Sequence, residues 1–243
     1  MKKLLVLLLL TSPVMAGTIS TYGSLMTVTL SSAAASGGGG GGSGTTYTYI
    51  QAQNNNTASY TGNLAYSPSV TAHSLLLVGC VMGLKTGSVT VSDNNGNSYT
   101  RLTGADVTVG GSVVSYWYTA NANAGATTVT CADGGGGASY VQLSIAEYGT
   151  SSGGSYDVAS SATGTSATVT CGNVTTTVTN EFVAAFGMTG QSVTSQSGTL
   201  RINYVFNQYV GGEDGIASSP GSYGSTFTTG SSNAFGCVQG AFK

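Results

Sequence analysis

The chain has 243 residues, of which only 6% are charged, with six Lys and Arg, eight Asp and Glu, one histidine and a formal net charge of −2. Soluble domains carry about 25% charged residues, yet 40% of this chain is apolar and 14 residues are tyrosine, which separates it from disordered sequences. Beyond the first residues the cations are Lys85, Arg101, Arg201 and Lys243; scattered in this way they form no basic stripe, which argues against nucleic acid as a partner.

The chain opens "MKKLLVLLLLTSPVMAG". Lys2 and Lys3 precede an apolar run at 4–10, and Val14-Met15-Ala16 supplies a small-residue cleavage site, so residues 1–16 read as a secretory signal peptide. The run is far below the ~20 residues that span a bilayer. The expected product is exported, extracellular or at the cell surface, with no membrane insertion after cleavage. Losing two of the six basic residues leaves four against eight acidic ones, a net charge of −4.

Residues 17–30, "GTISTYGSLMTVTL", alternate from Tyr22 with Met26, Val28 and Leu30 on one face, broken by Leu25, and are predicted to form a strand. Residues 31–46 are a Gly/Ser-rich linker with an r.m.s. span of about 20–24 Å. A lone apolar strand on such a leash must dock. It either folds back onto its own sheet or joins the sheet of an identical subunit, which would build a head-to-tail filament or coat.

From residue 47 to residue 243 the chain reads as short β-segments between Gly, Asn and Ser turns, with almost no helical periodicity. The clearest strands are predicted at 75–83, 112–120, 138–148, 180–188 and 200–207. "LLLVGCV" is apolar on both faces, as a central strand is. In "YVQLSIAEY", Val141, Leu143 and Ile145 share one face and Gln142 and Ser144 the other, which predicts a half-buried sheet. Asn95-Gly96, between two β-runs, predicts a hairpin. The fold class expected is all-β, a two-sheet antiparallel sandwich forming one domain over 47–243.

Cys80, Cys131, Cys171 and Cys237 are an even set in an exported chain, and disulfides are the natural reading, with free buried thiols as the alternative. Four cysteines allow three connectivities. The similar strand endings "TTVTC" and "SATVTC" favour Cys131 with Cys171, leaving Cys80 for Cys237. No CxxC pair or Cys/His cluster suggests zinc, and neither a metal nor another cofactor is expected.

The succession "LLLVG", "VTVSDNNGNSYT", "VSYWYTANANAGATTVTC", "VQLSIAEYG", "VTTTVTNEFVAAFG" and "VQGAFK" resembles a recurrent β-sandwich module of bacterial exported proteins and some phage structural proteins. The resemblance covers about residues 47–243. It implies a jelly-roll-like sandwich and supplies no catalytic residues.

Candidate chemistry is sparse. His73 is the only base for a nucleophilic triad, and no nucleophile-elbow sequence accompanies it; a strand-end histidine is the simpler reading. Glu147 continues the parity of Val141, Leu143 and Ile145, so it is expected to be a buried carboxylate, either structural or marking an active site. Glu213-Asp214 in "GGEDG" reads as a loop. Asp93, Asn95 and Asn97 have calcium-loop spacing, but Gly104 stands where the closing Glu belongs. In "YWY", Trp117 aligns with the core, while Tyr116 and Tyr118 on the other face are possible glycan-contact residues. The function expected is that of a non-enzymatic secreted or cell-surface protein, structural, adhesive or polysaccharide-contacting. The alternatives are a filament subunit assembling through residues 17–30, and a secreted carbohydrate-active enzyme using Glu147.

Overall fold

The computed structural model describes residues 20–22, 25–27, 45–84, 86–103, 105–150, 153–205 and 208–243. The expected signal peptide and residues 31–44 of the linker lie outside them. Within 17–30, β1 (Ser20–Tyr22) and β2 (Leu25–Thr27) pair antiparallel with each other, in a unit separate from the body that begins at Gly41. The single strand read from the alternation is thus two short ones, separated in sequence by Gly23-Ser24, a turn-favouring pair.

The body begins with β3 (Tyr47–Thr57), β4 (Thr61–Ala65), β5 (Leu75–Gly83), β6 (Val89–Asp93), β7 (Thr100–Arg101), β8 (Val107–Val109), β9 (Ser112–Thr119), β10 (Thr128–Asp133) and β11 (Tyr140–Thr150). It continues with β12 (Tyr156–Thr170), β13 (Val174–Thr176), β14 (Glu181–Thr189), β15 (Val193–Gln196), β16 (Thr199–Val205), β17 (Tyr209–Ala217), β18 (Gly221–Tyr223) and β19 (Thr226–Phe242). The protein is an all-β antiparallel sandwich. One large sheet has the order β3-β11-β5-β9-β7, with β8 on β9; the other has the order β12-β19-β14-β17-β16, with β15 on β19.

The two large sheets pack face to face over a core that includes Leu75, Val114, Tyr116 and Tyr148 from the first and Phe182, Phe186, Val210 and Phe242 from the second. Each has a further layer outside it. The small sheet β4-β10-β6 covers the first, burying Leu76, Val78, Val129 and Leu143 between them. Over the second lie β15 and the far ends of β12 and β19, which pair at Thr168–Thr170 with Thr226–Thr228 and bury Val169, Val193 and Phe227 against Phe235. The β13–β18 ribbon extends that cover. Within 47–150 the first strand lies beside the last and the second beside the next to last, the wrapped order of a jelly roll.

The layering explains where side-chain patterns mislead. All nine residues of β5 and of β14 are buried, as apolarity on both faces predicts. β11 is also covered on both faces, so Gln142 and Ser144 are buried, not solvated. Gln142 meets its needs by donating to the Gln208 carbonyl and accepting from the Gln208 N–H. Asn95-Gly96 joins no hairpin: β6 pairs with β10 in the outer sheet and β7 with β9 in the inner one. Asp93 turns the chain between layers, accepting from the N–H groups of Asn95 and Asn97, from Asn97 Nδ2 and from the Tyr99 hydroxyl.

The cysteines pair as Cys80–Cys131 and Cys171–Cys237, with Cα separations of 6.6 and 4.8 Å. This corrects the pairing favoured from the strand endings. "TTVTC" and "SATVTC" are both outer-layer strands, but each lies over a different large sheet. Each outer cysteine therefore bonds inward, to β5 and to β19, rather than to its look-alike.

Candidate functional site

Hydrogen bonding decides what the eight carboxylates can do. Glu147, on β11, is fully buried, and its oxygens accept from the Thr71 N–H (2.8 Å), the Ser74 hydroxyl (2.9 Å) and Gln51 Nε2 (2.6 Å). It ties the 67–74 loop to the sheet. Glu181, the first residue of β14, accepts from the N–H groups of Thr177 and Val178 in the loop before it. Asp133 takes the N–H groups of Thr86, Gly87, Gly135, Gly137 and Ala138. Burial pushes its carboxyl up, but the backbone donors outweigh burial and hold it well below the usual range. Asp106 pairs with Arg101, and Asp157 with Lys243.

The aromatic platform read from "YWY" does not form. Parity is as expected, with Trp117 on one face and the tyrosines on the other, but the tyrosines' face is the one pressed on the second sheet. Tyr116 is 6% exposed and stacks on Phe186 at 5.5 Å; half-buried Tyr118 stacks on Tyr156 at 5.3 Å. Trp117 lies half-buried on the outer side under Arg101, 4.7 Å from the ring centre. His73 is exposed, at φ 66°, and its Nδ1 lies 2.7 Å from Asn121 Oδ1.

Glu213-Asp214 is not a loop but the middle of β17, where consecutive residues point to opposite faces. Asp214 points into the central core, accepting from the Tyr148 hydroxyl (2.7 Å) and Arg201 Nε (2.5 Å). Glu213 points outward into a cleft of about 180 Å³, whose lining includes Ser197, Gly198, Ile216, Tyr223 and Ser225. Its carboxylate accepts from the Ser197 hydroxyl (2.7 Å) and the Gly198 N–H (2.8 Å), and among the described residues no cation pairs with it. Two neutral donors leave acceptor capacity on both oxygens, since a carboxylate offers about four lone-pair sites. A buried carboxylate is costly unless hydrogen bonds reach it, and Ser197 and Gly198 supply one to each oxygen.

At ~30 Å³ per water, the cleft holds about six waters or one sugar-ring-sized group. Asp214 also lines the cleft, but its carboxylate turns to the core side of the strand, where Tyr148 and Arg201 donate to it. Sequence reasoning missed Glu213 because glycines flank "ED" on both sides and imitate a turn. The signal that was available is the parity of Tyr209 to Ala217. Among the described residues no group of three or more His, Cys, Asp or Glu is placed to hold a metal, and no helix is long and apolar enough to cross a membrane. No protein-family model, curated protein or solved structure matches the chain.

Proposed function

We propose that this is an exported, non-catalytic β-sandwich that acts at the cell surface or outside and contacts neutral polysaccharide through the Glu213 cleft. The observation that carries the reading is a buried carboxylate that, among the described residues, has no counter-cation, at the wall of a sugar-sized cleft where further hydroxyl donors could reach it. The setting supports it: two disulfides fit an oxidising compartment, the first 16 residues have signal-peptide character, and the turn and strand signatures resemble exported modules. An uncharged Ser, Thr, Asn and Gly surface suits hydrogen bonding to glycans at any ionic strength.

The test is a glycan array probed with the mature chain and with Glu213→Gln. Retention of a neutral glycan by the first and at least tenfold weaker retention by the second is expected, since losing a hydrogen bond to a charged group costs about 1.5–3 kcal/mol. An array with no bound glycan, or equal binding by both chains, overturns the reading. A second reading, assembly of identical subunits through residues 17–30, rests on the apolar alternation of that segment ahead of a glycine-rich linker. Size-exclusion chromatography with and without that arm tests it.

A further inference from the structure

Residues 47–150 and 156–243 lay down their strands in one order. The inner sheets read β3-β11-β5-β9-β7 and β12-β19-β14-β17-β16. The outer layers read β4-β10-β6 and, in the second stretch, the far ends of β12 and β19 with β15. The registers agree residue by residue. Leu75 lies opposite Tyr148 as Phe182 lies opposite Phe242, and Val81 opposite Val114 as Met188 lies opposite Val210. Local details repeat too. His73 and Asn180, each two residues before those first pairs, have φ of 66° and 61°, a conformation rare outside glycine. "SYTRL" at 98–102 returns as "SGTLRI" at 197–202, with Thr100 opposite Tyr118 and Thr199 opposite Asp214.

We infer that the body is two copies of one jelly-roll unit, and that its central core is a dimer interface enclosed within one chain: the inner face of each copy fits a second copy of the same unit. The packing has the exchange symmetry of an isologous contact, in which i meets j and j meets i. Tyr204 of β16 donates to Asn56 of β3 (3.1 Å), and Tyr156 of β12 donates to the Leu102 carbonyl, just past β7 (3.5 Å); swapping the copies exchanges these two pairs of elements, with different residues making the bonds.

Fusion let the halves diverge by trading volume. Phe186 fills the space that a Cβ on its counterpart Gly79 would enter, at 2.6 Å. Tyr116 stacks on Phe186, and its counterpart is Gly212. Both disulfides close within a copy, but between non-equivalent strands, as expected of bonds acquired after duplication. On the outer faces, Trp117 under Arg101 covers in the first copy the place that Glu213 lines as a cleft in the second. The cleft described above lies in the second copy.

The test is the full chain with a specific protease site inserted between Thr150 and Gly153. After cutting, the two fragments are expected to co-elute at the mass of the uncut protein in native size-exclusion chromatography, and to separate on a non-reducing denaturing gel. Native dissociation, or fragments held together without reductant, overturns the inference. An exchange of volumes gives an independent readout should the insertion itself block folding. Gly79→Phe and Phe186→Gly should each lower Tm, while the double variant recovers at least half of the summed loss, because the ring is moved to its symmetry-related place. Strictly additive losses overturn the twofold relation whatever the fate of glycan binding.

Discussion

Asp133 shows how this protein spends its few charges. Its side chain accepts five backbone N–H groups from two loops, 86–87 and 135–138. Glycine stands at three of those five donors and leaves the approach free of side chains. Because the folded carboxyl titrates well below its usual range, the anion stabilises the fold fully above the unfolded value near ~3.9. That contribution is lost as pH falls through the folded value. Asp133→Asn is expected to cost about 1–3 kcal/mol at pH 7, as an amide cannot accept all these donors. The variant should also show a flatter loss of stability below about pH 4 than the parent. Thermal melts from pH 7 to pH 2 read both effects, and parallel curves would disprove the assignment. Glu147 and Glu181 do similar work, in two sequence contexts, at the loop before each central strand.

At the scale of elements, each disulfide joins an outer layer to the large sheet beneath it. The loops closed span 51 and 66 residues, which in the chain-entropy model is worth about 4 kcal/mol for each bond. Cys80→Ala with Cys131→Ala should therefore lower the denaturation free energy by a few kcal/mol and loosen the cover of β5, seen as faster amide exchange in β10. The second bond should be unaffected, since it belongs to a different core cluster. Equal loss of exchange protection in β14 and β19 would mean that the layers open together rather than one side at a time.

For the whole molecule, the decisive contrast is between a body rich in internal hydrogen bonds and an N-terminal segment that forms its own unit. A lone two-stranded hairpin is marginal in water, which is the ground for the proposal that this segment docks on an identical subunit. The assembly reading predicts polymers of the mature chain and monomers after deletion of residues 17–36. Identical monomers from the mature and the truncated chain in size-exclusion chromatography would end it. Neither outcome bears on the central core, whose two faces are already paired within one chain.

Composition and alternation by themselves determined the all-β class, the central placement of β5, the inward turn of Glu147 and the opposed faces of Trp117 and its flanking tyrosines. These are local properties: a period of two and a turn residue are visible in any short window. Which face meets water is not local. Tyr116, Gln142 and Ser144 are buried because a second large sheet arrives from residues 156–243. Cys80 finds Cys131 because a layer folds over it, and Glu213 lines a cleft because Ser197, Gly198 and Tyr223 come together beside β17. Those outcomes depend on which distant strand lies above which, and only the tertiary structure decides that.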